Sequence, residues 1–182
     1  MNYKLLRAIC PMLLFCFCFA QCKKQKQTPK TELEKLPPIT QTGANTFGCL
    51  LNGVAYTPGG GGILDQVLKT QYDPTFQGGQ FYITTKRFFE NNQSIYLSID
   101  GFKINDIGHF TLYLQSMYRL FYNDSRINCQ FDTYSDTPTS GFLDITKFDK
   151  ANRIISGTFN FKFSNQNCGT IDATDGRFDV KY

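Results

Sequence analysis

The chain has no tryptophan and one histidine, His109, in 182 residues. These two shortages exclude a good deal. Protein zinc sites are assembled from sets of cysteine and histidine, and none of the seven cysteines belongs to a Cys-x-x-Cys pair outside the N-terminal apolar block. Histidine-based acid–base chemistry would have to run through His109 alone. The sequence also lacks Gly-x-Ser-x-Gly and His-Glu-x-x-His, and the glycine run at 59–62 is not followed by the Lys-Ser/Thr of a phosphate-cradling loop. That run reads as a flexible, mobile connection. Without tryptophan there is no Cys…Trp…Cys arrangement of the immunoglobulin kind. No cofactor motif is present. Charge of one sign is missing too. The net charge is +4, but from Asn45 onward 12 basic residues face 13 acidic ones. A near-neutral body offers no electrostatic grip on nucleic acid. The apolar block at 8–20 falls short of the roughly 20 residues that a membrane-spanning helix requires.

What is present at the N-terminus has a definite layout. Lys4 and Arg7 precede that apolar block, and Cys22-Lys23-Lys24-Gln25-Lys26 breaks it sharply. A charged start, an apolar centre and a small residue near the cut make a secretory signal peptide, residues 1–21. A cysteine directly behind the apolar block resembles the bacterial lipoprotein pattern, in which cleavage precedes the cysteine and its thiol is acylated. Cys22 is therefore the expected lipidation site and membrane anchor. Phe19 and Gln21 depart from the usual residues before such a cysteine; the alternative is cleavage near Ala20 and an unmodified Cys22 thiol. Several acyl chains hold a protein firmly, whereas one holds it marginally. Residues 22–44, rich in Lys, Gln, Thr and Pro, read as a disordered tether several nanometres long when extended. The lysines there either lie against an anionic membrane surface or belong to a solvated spacer.

Cys10, Cys16 and Cys18 leave with the signal. Cys49, Cys129 and Cys168 remain in an oxidising compartment, which permits a disulfide. Three thiols make one bridge in three ways, and spacing does not choose among them.

Residues 45–182 read as a single all-β domain. Ile155, Phe159, Phe161 and Phe163 share one side of a strand, with Gly157 on the same side, where an aromatic from a neighbouring strand has room to pack. Ile95, Leu97 and Ile99 alternate with Tyr96, Ser98 and Asp100; Phe110, Leu112 and Leu114 alternate with Thr111, Tyr113 and Gln115; Phe178, Val180 and Tyr182 alternate with Arg177, Asp179 and Lys181. Period 2 puts each apolar set on one sheet face. Asn52-Gly53 predicts a hairpin, Asp175-Gly176 a second turn, and 149–152 a four-residue loop. Residues 63–68 are the one helix candidate. The expected architecture is an antiparallel meander of about eight or nine short strands, folded as a two-layer sandwich or flattened barrel in preference to a lipocalin-like barrel.

Several residues bear on chemistry. His109 reads as a polar strand-edge residue rather than a catalytic one. Asp172, Asp175 and Asp179 are hard oxygen ligands of the kind calcium takes, but their spacing is not that of an EF-hand, so no metal site is expected. Asp144 and Asp149 are weighed as a glycosidase pair, which needs a separation of about 5–9 Å, against turn and strand-surface roles. Phe159, Phe161 and Phe163 form a packed core rather than an RNA platform. Tyr113, Tyr118, Phe121, Tyr122 and Tyr134 fall outside clean alternation; they line a carbohydrate or peptide groove or simply pack on the sheets.

Three blocks carry a family resemblance: residues 45–53 (Asn-Thr-Phe-Gly-Cys-Leu-Leu-Asn-Gly), 141–161 with its Ser-Gly-Thr-Phe-Asn-Phe, and 175–179 (Asp-Gly-Arg-Phe-Asp). In this order they resemble small uncharacterised lipoproteins of Bacteroidota. The resemblance implies an envelope location and a β-rich domain, and brings no catalytic residues. In that group an acidic run behind the cysteine marks export to the outer surface. The basic run here points instead to the periplasmic face of the outer membrane. The expectation is thus a non-enzymatic binding or accessory module, with an envelope protein or glycan as partner. A lipocalin-like carrier of a small apolar ligand is the alternative.

Overall fold

The computed structural model describes residues 30–112, 118–133, 140–166 and 168–182. The signal segment, Cys22, Tyr113 and Tyr134 lie outside them. Among the described residues, antiparallel strands make up two sheets. One sheet contains β1 (Thr46–Leu51), β2 (Val54–Tyr56), β6 (Gly108–Thr111), β9 (Ser140–Asp149), β10 (Ile154–Asn165) and β11 (Gly169–Lys181), in the order β2-β1-β11-β10-β9-β6. The other contains β3 (Leu68–Asp73), β4 (Gln80–Phe88), β5 (Ser94–Gly101), β7 (Tyr118–Asp124) and β8 (Cys129–Asp132), in the order β3-β4-β5-β7-β8. The sheets face each other as a sandwich and do not close into a barrel. A barrel-enclosed carrier site therefore has no basis in this fold. The strand path is a meander along β3-β4-β5 and along β9-β10-β11, and is interrupted elsewhere. β6 leaves the second sheet to pair with β9, and the β1–β2 hairpin is added at the far side of the C-terminal strand β11.

Alternation decides which face is buried. On β10, Ile155, Phe159, Phe161 and Phe163 point into the core, each at most 1% exposed. Phe163 stacks on Phe131 of the opposite sheet with ring centroids 3.8 Å apart, and Phe178 stacks on Phe81 at 5.5 Å. Stacked rings from both layers thus fill the centre, where aromatic pairs add to plain area burial. Gly157 has the role its place suggests. A Cβ there would lie 2.7 Å from Cζ of Phe178 and 2.1 Å from the carbonyl oxygen of Asp144, so only glycine lets that ring and strand approach.

Asn52 and Gly53 adopt φ of 48° and 79° in the tight turn between β1 and β2, as a two-residue hairpin requires. Asp175-Gly176 makes no turn. It sits inside β11, where the register against both β1 and β10 slips by one residue. Asp175 has φ of 52° and Gly176 lies under Phe159. The same tolerance of positive φ serves here to bulge one strand between two partners. The helix expected at 63–68 is absent. Ile63 and Leu64 stand fully exposed in a turn, and Leu68 opens β3. The glycine run before them is anchored at one end, because Gly59 exchanges backbone hydrogen bonds with Lys86 and Phe88.

Of the three candidate cysteines, Cys129 and Cys168 are joined and Cys49 is a buried free thiol. The bridge ties β8 in one sheet to the residue just before β11 in the other. Across 39 residues, chain-entropy reasoning puts its stabilisation at about 4 kcal/mol.

The expectation of a disordered tether reaching residue 44 is corrected from Lys30 onward. Leu33–Lys35 form a 3-10 turn, Leu36 is buried, and Pro37 packs over Gly48 of β1. The Glu32 carboxylate accepts the Ala55 N–H of edge strand β2 at 2.9 Å. The fastening is Asp179 on β11, 1% exposed. Its carboxylate accepts hydrogen bonds from Thr40 Oγ1 (2.7 Å), Thr42 N–H (2.9 Å) and Oγ1 (3.2 Å), Gly43 N–H (2.7 Å), Ala44 N–H (3.2 Å) and Ser156 Oγ (2.8 Å). Segment composition gave no hint of this, because the partner is about 137 residues away in sequence.

Candidate functional site

The outer face of the second sheet carries the clearest candidate. Its inward rows (Phe81, Ile83 and Thr85; Ile95, Leu97 and Ile99) are buried against the first sheet, so residues of the other parity face away from it. Strand register sets them in three cross-strand rows: Lys86–Tyr96–Asn123, Thr84–Ser98–Phe121, and Tyr82–Asp100–Arg119. Between them runs an open groove of about 450 Å³, within the usual range for small-ligand sites.

The groove has aromatic walls and a polar floor. The Tyr82 and Tyr96 hydroxyls lie 3.3 Å apart, and the Tyr96 and Phe121 rings meet edge to face at 5.5 Å. Asp100 lies at the bottom, 8% exposed. The side-chain amide of Gln80 donates to both its oxygens, at 2.9 and 3.0 Å. Burial pushes the Asp100 carboxyl up; the Gln80 hydrogen bonds and the positive charge of Arg119 oppose this without cancelling it. A carboxyl shifted by burial in a cleft is a mark of functional sites as a class. Arg119 also donates to Asp132 on the neighbouring strand, at 3.1 Å. Planar rings, a carboxylate, a guanidinium and an amide thus share one concave face. Such a set can stack on an apolar ring face and hydrogen-bond to its polar rim.

The residues singled out from sequence scatter more widely. Phe121 does line the groove. Tyr118 and Tyr122 point inward and are buried; Tyr113 and Tyr134 lie outside the described residues. His109 stands on β6 directly opposite Asp144 of β9, its Nδ1 2.5 Å from the carboxylate, beside the Phe142 ring. Both side chains are solvent-accessible, and among the described residues no hydroxyl or thiol is bonded to the other ring nitrogen. Asp144 and Asp149 do not form a glycosidase pair. They face Thr158 and Ile154 of β10, positions about 13 Å apart at strand rise, and Asp149 caps its own loop by accepting the Asn152 N–H at 3.0 Å. Asp172 lies near Lys162, Asp175 sits in the bulge and Asp179 is saturated by the N-terminal segment. Among the described residues no cluster of three metal-ligating side chains exists.

Tyr82, Asp100 and Arg119 were missed as site residues. Their one sequence signal was membership of the polar half of an alternation, which every half-buried strand shares. No family model, no curated protein and no solved structure matches this chain.

Proposed function

We propose that this chain is a cell-envelope lipoprotein, anchored through an acylated Cys22, whose β-sandwich acts as a non-enzymatic binding module for a glycan. The groove on the outer sheet face carries the reading. Tyr82, Tyr96 and Phe121 offer flat apolar surface for the C–H face of a sugar ring, while Asp100 and Arg119 offer an acceptor and planar donors for its hydroxyls. The near balance of charge from Asn45 onward suits a neutral polyhydroxylated ligand better than nucleic acid. Support for the anchor is the charged start, apolar block and polar break around Cys22. The basic residues behind that cysteine, where the lipoproteins the sequence resembles carry an acidic run for surface export, support a periplasmic orientation at the outer membrane.

Because residues 30–44 are docked on the sandwich, seven residues, 23–29, lie between Cys22 and the described chain, a span of eight Cα steps. That is a reach of at most about 29 Å, so the groove would work close to the membrane. Two measurements test the reading. Replacing Cys22 with Ser should release the protein from the membrane fraction; continued retention refutes the anchor. On a glycan array the purified protein should bind a defined saccharide class, and Tyr96→Ala should weaken that binding at least tenfold. An array without signal, or binding indifferent to Tyr96, refutes the groove.

A further inference from the structure

A second concavity, of different chemistry, opens where the two sheets part. It is a cleft of about 350 Å³, and its walls are apolar: Leu51 and Ile171 from the first sheet, Ile95 from the second, and Val54 and Ile127 at the rim. Val54 and Ile127 are 62% and 54% exposed, so the apolar surface continues out to solvent. The floor is unusual for a sandwich interior. Arg87, Ile95 and Asp124 form one cross-strand row on β4, β5 and β7. Each continues the row that, further along, buries Ile83, Leu97 and Leu120. Two charged residues therefore stand where alternation calls for core side chains.

The two charges differ in their partners. Asp124, 1% exposed, accepts from the Arg126 backbone N–H (2.9 Å), Nε (2.9 Å) and Nη2 (2.8 Å), so Arg126 matches its charge. Arg87 has no such match among the described residues. Its Nη1 donates only to the Thr57 carbonyl and hydroxyl, at 3.1 and 3.2 Å, and its guanidinium lies 5.6 Å from the Phe89 ring centre. The lining of this largely apolar cleft thus holds one positive charge without a carboxylate partner among the described residues. A guanidinium presents a planar fork of donors fitted to a carboxylate.

We propose that this cleft binds a single long-chain carboxylate, its alkyl chain between Ile95 and Ile171 and its carboxylate on Arg87. Two acidic groups would exceed the one free positive charge, and a purely apolar ligand would leave it unmatched. The N-terminal segment runs past the same place, since Glu32 bonds to Ala55 in the cleft wall. With the Cys22 anchor proposed above, the cleft would lie near the bilayer surface, where such amphiphiles collect. That source rests on the anchor; the binding chemistry does not.

Calorimetric titration of the full chain with dodecanoate and with dodecanol tests the proposal. Dodecanoate should bind at one site. Arg87→Met, which keeps the apolar stem, should weaken dodecanoate at least tenfold and leave dodecanol unchanged, and Arg87→Lys should restore most of the loss. Ile127→Asp, in an exposed loop, should also weaken dodecanoate without lowering the melting temperature. The proposal is overturned if dodecanoate shows no saturable binding to the unaltered protein, or if Arg87→Met binds it as tightly. A loss caused by Arg87→Met that extends equally to dodecanol would overturn it as well. None of these outcomes depends on glycan binding, so this site and the outer groove stand or fall separately.

Discussion

Two of the buried aspartates, Asp179 in the first sheet and Asp100 in the second, are handled in opposite ways. Asp179 on β11 is surrounded by donors from the N-terminal segment and Ser156. Burial by itself would raise its carboxyl, but the hydrogen bonds from Thr40, Ser156 and the Thr42 and Gly43 amides outweigh that and hold it well below the usual carboxylate range. Asp100 on β5 is nearly as inaccessible and receives one side-chain amide, and burial wins there. A buried carboxylate without its full set of donors is costly. A fold tolerates that more readily where a ligand can supply the missing donors. The contrast separates a carboxylate that fastens the chain from one that is held short of donors.

The most forceful way to break the contrast is Asp179→Ala. It removes a charged acceptor and leaves several buried donors unsatisfied, so we expect a loss of about 3 kcal/mol. For a domain of this size that lowers the melting temperature by roughly 6–12 °C. Hydrogen exchange at the Thr42, Gly43 and Ala44 amides should rise toward that of free chain. If those amides stay protected, Asp179 is not the fastening.

A milder probe is acid. The folded carboxyl of Asp179 titrates below its unfolded value of about 3.9. Its contribution is therefore complete above that value and is lost as pH falls toward the depressed folded one. Stability measured by denaturant titration should decline between about pH 4 and pH 2, and Asp179→Asn should flatten that decline. An unchanged acid limb in the variant would assign acid sensitivity to other carboxylates.

How much of this was open to inspection in the sequence depends on how local the cause is. The apolar row Ile155, Phe159, Phe161 and Phe163 was legible because period 2 is written within one strand. So was the turn at Asn52-Gly53, where two consecutive residues must accept positive φ. Asp175-Gly176 carries the same local signal and became a bulge, since pairing with β1 on one side and β10 on the other decides whether the chain reverses or continues. The docking of residues 30–44 was illegible for the same reason: Pro and Lys look like linker until Asp179 is placed beside them. The groove is intermediate. Tyr96, Ser98 and Asp100 were visible as a polar face, but Tyr82, Phe121 and Arg119 join them only through the registers of β4 and β7 against β5.

The finest test lies in the groove. Asp100 has a folded carboxyl raised above its unfolded value, so the folded state binds more protons in that window and stability falls as pH rises through it. At neutral pH the charge is a small burden on folding. Asp100→Asn removes it while keeping an oxygen to accept from Gln80, so stability at pH 7 should rise by less than about 1 kcal/mol. The gain should vanish below pH 4, where both forms are neutral. The same substitution should weaken saccharide binding, because an amide oxygen accepts less strongly than a carboxylate. A variant that gains stability and loses ligand has given up a strain the groove uses. One that loses stability instead makes Asp100 a second structural carboxylate and erases its difference from Asp179.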